Sequence, residues 1–138
     1  MSLSKRVAVV VLCLVALTLV ASVAVASGVK LLPVGDEPGA SGSGTLTIQL
    51  KSYPGWGGPT YNYVVTLKLK CTGLRPGQTY RAGTYGTADS EGVADAKGGL
   101  VISASGEYPA SWGPPSKWVG VGRRDPEGWV TVLLGQAK

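Results

Sequence analysis

The chain has 138 residues, 13 Lys and Arg against 8 Asp and Glu for a net charge of +5, and no His. A chain of this length supports one modest core. Without His there is no Ser-His-Asp triad, no Cys-His pair and no histidine metal site. The basic residues are scattered rather than gathered into the stripe that nucleic-acid binding needs.

Lys5 and Arg6 precede an apolar run from Val7 to Ala26, interrupted by Thr18 and Ser22 and closing on Ala24-Val25-Ala26. Small-x-small is the pattern that signal peptidase reads, so residues 1–26 are expected to be a hydrophobic helix acting as a signal peptide. An uncleaved membrane anchor is the alternative, because the run is nearly long enough to span a bilayer. Cys13 follows Leu12, not the small residue that a lipoprotein signal requires. Either way the remainder is expected to be secreted or at the cell surface, with membrane contact only through the N-terminal segment if it stays uncleaved. Cleavage removes Lys5 and Arg6 from the balance, and what remains supports mild attraction to anionic cell-surface polymers.

Residues 27–44 read as a short apolar segment, Val29 to Val34, followed by a flexible linker, Gly35 to Gly44, too poor in apolar residues to repay its own ordering. The domain is expected to span residues 45–138. Thr45 to Lys51 alternates with Leu46, Ile48 and Leu50 inward. Along the next strand Tyr61, Tyr63, Val65, Leu67, Leu69 and Cys71 share one face, and Asn62, Thr66, Lys68 and Lys70 the other. Cys71, left alone once Cys13 is removed, is expected to be a small buried apolar residue without a disulfide partner. A third strand runs from Thr79 to about Gly86. After a turn at Asp89 to Gly92, Val93 to Asp95 is expected to pair with Leu100 to Ser105. Lys117 to Val121 and Trp129 to Leu134 complete the chain, joined across Arg123 to Gly128. Gly or Pro stands at every break, so the expectation is an all-β fold, a single antiparallel β-sandwich of about seven strands.

Between the second and third strands lies Gly73-Leu74-Arg75-Pro76-Gly77-Gln78-Thr79-Tyr80. Pro76 supplies the fixed φ of the second position of a turn, and Gly77 the positive φ that a type II turn needs next. Leu-x-Pro-Gly-x-x-Tyr resembles the tyrosine corner of secreted immunoglobulin-like and fibronectin-type sandwiches. By that resemblance Leu74 is a buried plug, and the Tyr80 hydroxyl bonds a backbone group a few residues upstream. The Asp95-Ala96-Lys97-Gly98 hairpin that follows is similar to one in bacterial and archaeal secreted sandwiches, some of the copper-zinc superoxide dismutase type. Those relatives carry His ligands on the strand after the corner. Here Arg81-Ala82-Gly83-Thr84-Tyr85-Gly86 stands in that place, so the resemblance implies the fold without the metal or the dismutase activity.

Little else in the chain carries chemistry. There is no Ser-x-x-Lys in the domain, and no Gly-rich phosphate loop opens a helix. Asp89, Glu91 and Asp95 are the one carboxylate cluster. They read first as a solvated turn and second as a calcium site, without the spacing of an EF-hand loop. No enzyme activity and no cofactor are expected.

Two loops stand out instead. Tyr53-Pro54-Gly55-Trp56-Gly57-Gly58-Pro59 and Tyr108-Pro109-Ala110-Ser111-Trp112-Gly113-Pro114 share the order Tyr-Pro, Trp-Gly, Pro. Rigid loops of this kind either fold their aromatics back to cap the sandwich or present them to a partner. The expected function is an exported, non-catalytic binding module for an extracellular glycan or protein, with Tyr53, Trp56, Tyr108 and Trp112 as candidate ligand-binding residues. The alternative is a structural subunit of a surface filament or matrix, a homo-oligomer assembled by donation of the Val29–Val34 strand.

Overall fold

The computed structural model describes residues 23–87 and 89–138. The expected N-terminal helix lies outside these residues except for its last four, Val23–Ala26, which are strand. Eight strands are present: β1 Val23–Pro33, β2 Ser41–Tyr53, β3 Thr60–Thr72, β4 Thr79–Thr84, β5 Ser90–Val93, β6 Leu100–Pro109, β7 Trp118–Asp125 and β8 Gly128–Gln136. Among the described residues the sole helical element is one 3-10 turn, Ala110–Trp112, and no helix is long and apolar enough to cross a membrane. The strands form one antiparallel sheet in the order β5-β4-β7-β8-β1-β2-β3-β6. β5 and β6 at its two ends lie alongside each other without ladder pairing, so the sheet nearly closes on itself.

Alternation explains most of the core. On β3 the inward Val65, Leu67, Leu69 and Cys71 are buried, and on β6 so are Leu100, Ile102, Ala104 and Tyr108. From the other half of the sheet come Tyr80 and Ala82 of β4 and Val119 and Val121 of β7. On β8 the consecutive residues Val132 and Leu133 are both buried. There β7 pairs Val121 with Leu133 and Gly122 with Thr131, so Val132 is the extra residue of a β-bulge and turns inward as well. Cys71 is free and fully buried, and burial pushes its thiol up to about 11.

The largest departure from the sequence reading is at the start. Val29 to Val34, expected to stand ahead of the domain, is mostly β1, and the expected linker supplies the β1–β2 turn and the opening residues of β2. β1 pairs with β2 of its own chain from Val23↔Leu50 to Leu31↔Gly42, then passes to β8 through Leu32↔Leu134 and Pro33↔Leu133. One strand thus joins the two halves of the sheet. Val29 and Leu31 are buried at that junction. Donation of this strand to a neighbour would have to replace all of these pairs. Two hairpins also differ from expectation. Ser90–Val93 is a strand that pairs with β4, not with β6, and Arg123 and Arg124 lie within β7, leaving Pro126 and Glu127 as the β7–β8 turn.

The corner forms as the motif implies. Pro76 and Gly77 occupy the centre of a turn closed by the Gln78 N–H donating to the Arg75 carbonyl at 3.3 Å, with Gly77 at φ +76°. Leu74 is buried, and the Arg75 N–H donates to the Tyr80 hydroxyl at 2.9 Å. Nothing near Tyr80 in the chain signals what it does with its own proton. It donates to Glu37 Oε1 at 2.7 Å, and the other Glu37 oxygen accepts from Arg123 Nη1 at 2.6 Å. Both charged side chains are only 3 % exposed. Arg123 further donates to Asp36 at 2.9 and 3.0 Å and to Asp125 at 2.9 Å. Every buried side-chain polar atom among the described residues has a partner, as the cost of an orphaned one demands.

Two predictions follow from this architecture. Burial of Val29 and Leu31 stabilises by roughly 3 to 6 kcal/mol together, a large share of the roughly 5 to 15 kcal/mol that holds a domain folded. A fragment of residues 45–138 is therefore expected to be unfolded by circular dichroism while residues 27–138 fold; a folded 45–138 fragment would refute this role for β1.

The second concerns pH. Bonds from Arg123 hold the Asp36 and Asp125 carboxyls below their usual 3.8. Folding thus favours their ionised forms, and that stability is present above the usual carboxylate value and lost as pH falls below it. Burial, then donation to Glu37, raises Tyr80 from its usual 10.0 to about 12. Its contribution is complete below about pH 10 and is lost as pH rises towards about 12. Tyr80→Phe is expected to cost about 2 kcal/mol at neutral pH and to flatten the alkaline loss, both read from urea midpoints against pH. An unchanged midpoint would remove the corner's assigned role.

Candidate binding surface

The two ends of the sheet differ in kind. One end gathers the β1–β2 turn, the β3–β4 corner, the β5–β6 turn and the β7–β8 turn around the Glu37–Arg123 pair. At the other end the β2–β3, β4–β5 and β6–β7 connections come together. β2 reaches this end at Tyr53, opposite Thr60 of β3, and β6 reaches it at Pro109, opposite Asn62. The chain contains 4 Trp, 6 Tyr and no Phe, and only Tyr80 and Trp129 lie away from this end.

The four residues singled out in the two similar loops are brought to this one end but do different work. Tyr108 is the last inward residue of β6 and only 6 % exposed. Its ring lies 5.7 Å from Tyr63 and 5.7 Å from Tyr85, between centroids, and 6.2 Å from Trp112 at an interplanar angle of 25°. Its hydroxyl donates to the Gly113 carbonyl at 3.1 Å, tying the β6–β7 connection down. Burial, then the neighbouring Tyr85 and Tyr63, raises its pKa. The close approach of Gly86 completes this cap: at φ +91° a Cβ there would stand 2.5 Å from the Tyr108 ring.

Tyr53 is half-buried on the outer sheet face, where its hydroxyl bonds Glu107 and Lys51 lies 5.6 Å from its ring. The bond to Glu107 raises the Tyr53 pKa. Trp112 covers Tyr108 with one face and remains 69 % exposed, and Trp56, at the tip of its loop, is fully exposed. Capping thus falls to Tyr108, while Trp56 and Trp112 stand exposed.

Three more aromatics at this end were not singled out from the sequence. Tyr61, Tyr85 and Trp118 are all about half exposed. Tyr61 sits one inward position beyond Tyr63, past the end of the core, and Trp118 begins β7 where its carbonyl accepts from the Thr84 hydroxyl. The signal available was charge: residues 54–60, 85–88 and 109–116 contain no Asp, Glu, Lys or Arg. A groove runs between the two loops, with Pro59, Thr60, Tyr61 and Asn62 on one wall and Pro109, Ala110 and Ser111 on the other.

The carboxylate cluster disperses. Asp95 Oδ1 accepts from the N–H groups of Lys97 and Gly99 at 2.9 and 2.8 Å, capping its own turn. Asp89 pairs with Arg81 at 3.6 Å, and Glu91 projects from β5 opposite Arg81. Among the described residues no three His, Cys, Asp or Glu side chains are grouped so as to hold a metal ion. Compared with known proteins, the chain matches no family model, no curated protein and no solved structure.

Because Tyr108 is core and Trp112 cover, the two should separate in stability measurements. Tyr108→Ala is expected to cost about 3 to 5 kcal/mol, and Trp112→Ala to stay within about 0.5 kcal/mol, by chemical denaturation. Equal costs would place both residues in the cap.

Proposed function

We propose that the chain is an exported, non-catalytic module that binds a glycan or protein outside the cell through its aromatic end. One observation carries this reading: Trp56, Tyr61, Tyr85, Trp112 and Trp118, all the aromatics more than about a third exposed, lie at one end. Water opposes the exposure of so much apolar ring surface, and on a secreted domain such a patch marks a contact site. The setting of Trp112 limits its freedom. Proline flanks both loops, and Trp112 rests on a buried ring, so little rotamer freedom is lost on binding. Kinship with immunoglobulin-like or dismutase-like sandwiches is part of the same proposal and rests on the Leu74 to Tyr80 corner. Without a single His, the dismutase chemistry is not carried over.

The test is a glycan-array and pull-down screen of the purified protein beside a Trp56→Ala, Trp112→Ala double variant. The double variant is expected to bind at least about tenfold more weakly, since one factor of ten is about 1.4 kcal/mol and two stacked rings supply about that. Its melting temperature should be unchanged. A ligand captured equally well by both proteins would overturn the reading.

A further inference from the structure

We infer that the groove between the two loops takes an uncharged polysaccharide, its sugar faces stacking on Tyr61 and Trp112 and its hydroxyls meeting Asn62, Thr60 and Ser111. This deepens the preceding proposal and rests on its premise that the aromatic end is the binding surface.

The chemistry of the walls matches that of a sugar. A pyranose ring offers two apolar faces rich in C–H bonds, whose slightly positive hydrogens suit the negative face of an aromatic ring. Around its rim it offers neutral hydroxyls that both donate and accept. The groove supplies the matching pair of features: the partly exposed ring of Tyr61, and beside it the amide of Asn62 and the hydroxyls of Thr60 and Ser111. An amide and two hydroxyls donate and accept as the sugar rim does. Trp112 follows Ser111 directly, stacked on Tyr108 and still 69 % exposed.

Charge then selects within the glycans. The segments that wall the groove, residues 54–60 and 109–116, carry no charged residue. Of the acids at this end, Glu107 is bound to Tyr53 and Asp89 is paired with Arg81, while the bases Lys51 and Lys117 border the loops. A uronate or sulfate in the groove would be desolvated without a partner, which is costly; a neutral chain pays no such penalty.

The same walls disfavour two other occupants. Insertion into a lipid surface scales with apolar area and draws on large aliphatic side chains, yet residues 54–60 and 109–116 contain no Leu, Ile, Val, Met or Phe. Protein interfaces favour Arg at their anchors, and the three connections have none.

The test uses the purified protein in co-sedimentation with cellulose, chitin and a β-1,3-glucan, with pectin and alginate as acidic polymers, and in flotation with phosphatidylcholine vesicles. Retention is expected on at least one neutral polymer and should persist at about 1 M salt, where charge attraction is screened within about 3 Å. Tyr61→Ala and Trp112→Ala should each weaken retention about tenfold, and Asn62→Ala should weaken it without altering the melting temperature. Retention on acidic polymers alone, flotation with vesicles, or no retention on any neutral polymer would overturn the inference. In the last case, capture of a protein that Trp56→Ala abolishes would leave the wider binding reading standing. Capture insensitive to every aromatic substitution would remove both.

Discussion

Glu37 and Arg123 are 86 residues apart in the chain and meet at 2.6 Å inside it. Taking two charges out of water is costly, and their attraction repays it only when the remaining bonding capacity is filled. Here it is filled. Glu37 accepts from Arg123, from the Tyr80 hydroxyl and from the Arg75 N–H, while Arg123 reaches Asp36 and Asp125 as well. The result is one fixed meeting point for the β1–β2 turn, the β3–β4 corner and the end of β7. A pair of this kind adds little net stability over a well-packed apolar substitute, but it tolerates few alternative arrangements. Slipping β7 by one residue would turn Arg123 outward and leave Glu37 buried alone.

With registration fixed at that end, the opposite end is left freer in composition. The loops there need only close the sheet, and Tyr108 already does so with its ring and its bond to Gly113. The aromatics beyond it carry no structural duty that the core depends on. This division, a paired frame below and irregular connections above, is the usual setting for binding residues.

Much of the frame was readable in the chain and the pair that locks it was not. The alternation from Tyr61 to Cys71 announces β3, because a strand buried on one face must alternate, and Pro76-Gly77 announces its turn. The place of β1 within its own sheet was hidden by composition. Ser, Gly and Asp around Val29 to Val34 suggest a linker, whereas Gly42 is small because a Cβ there would come within 3.0 Å of Leu31 and 3.1 Å of Cys71. Asp36, Glu37 and Arg123 look like loop charges, since nothing local tells a solvated carboxylate from one whose partner lies across the fold. At the aromatic end the repeat of Tyr-Pro and Trp-Gly was plain, but the split between Tyr108 and Trp112 depends on where β6 stops. Tyr108 continues the inward series Leu100, Ile102, Ala104, and Trp112 lies past it. Tyr61, Tyr85 and Trp118 were missed because each borders a strand, and exposure at a strand's end is set by neighbours that the sequence does not name.

β1 sits between β2, which follows it directly, and β8, the last strand of the chain. The ladder from Leu32 to Leu134 and the bridge from Val29 to Ala137 join residues over a hundred positions apart. Such pairings are slow to form, because the loop must be closed before the contact rewards it. A chain emerging from its N-terminus can make the β1–β2–β3 meander early, but the inner edge of β1 waits unpaired until the final strand is available. Folding therefore has no stable stopping place short of the full length. Until β8 arrives, the half-built sheet stays open along β1, and the last strand to be made is the one that shuts it.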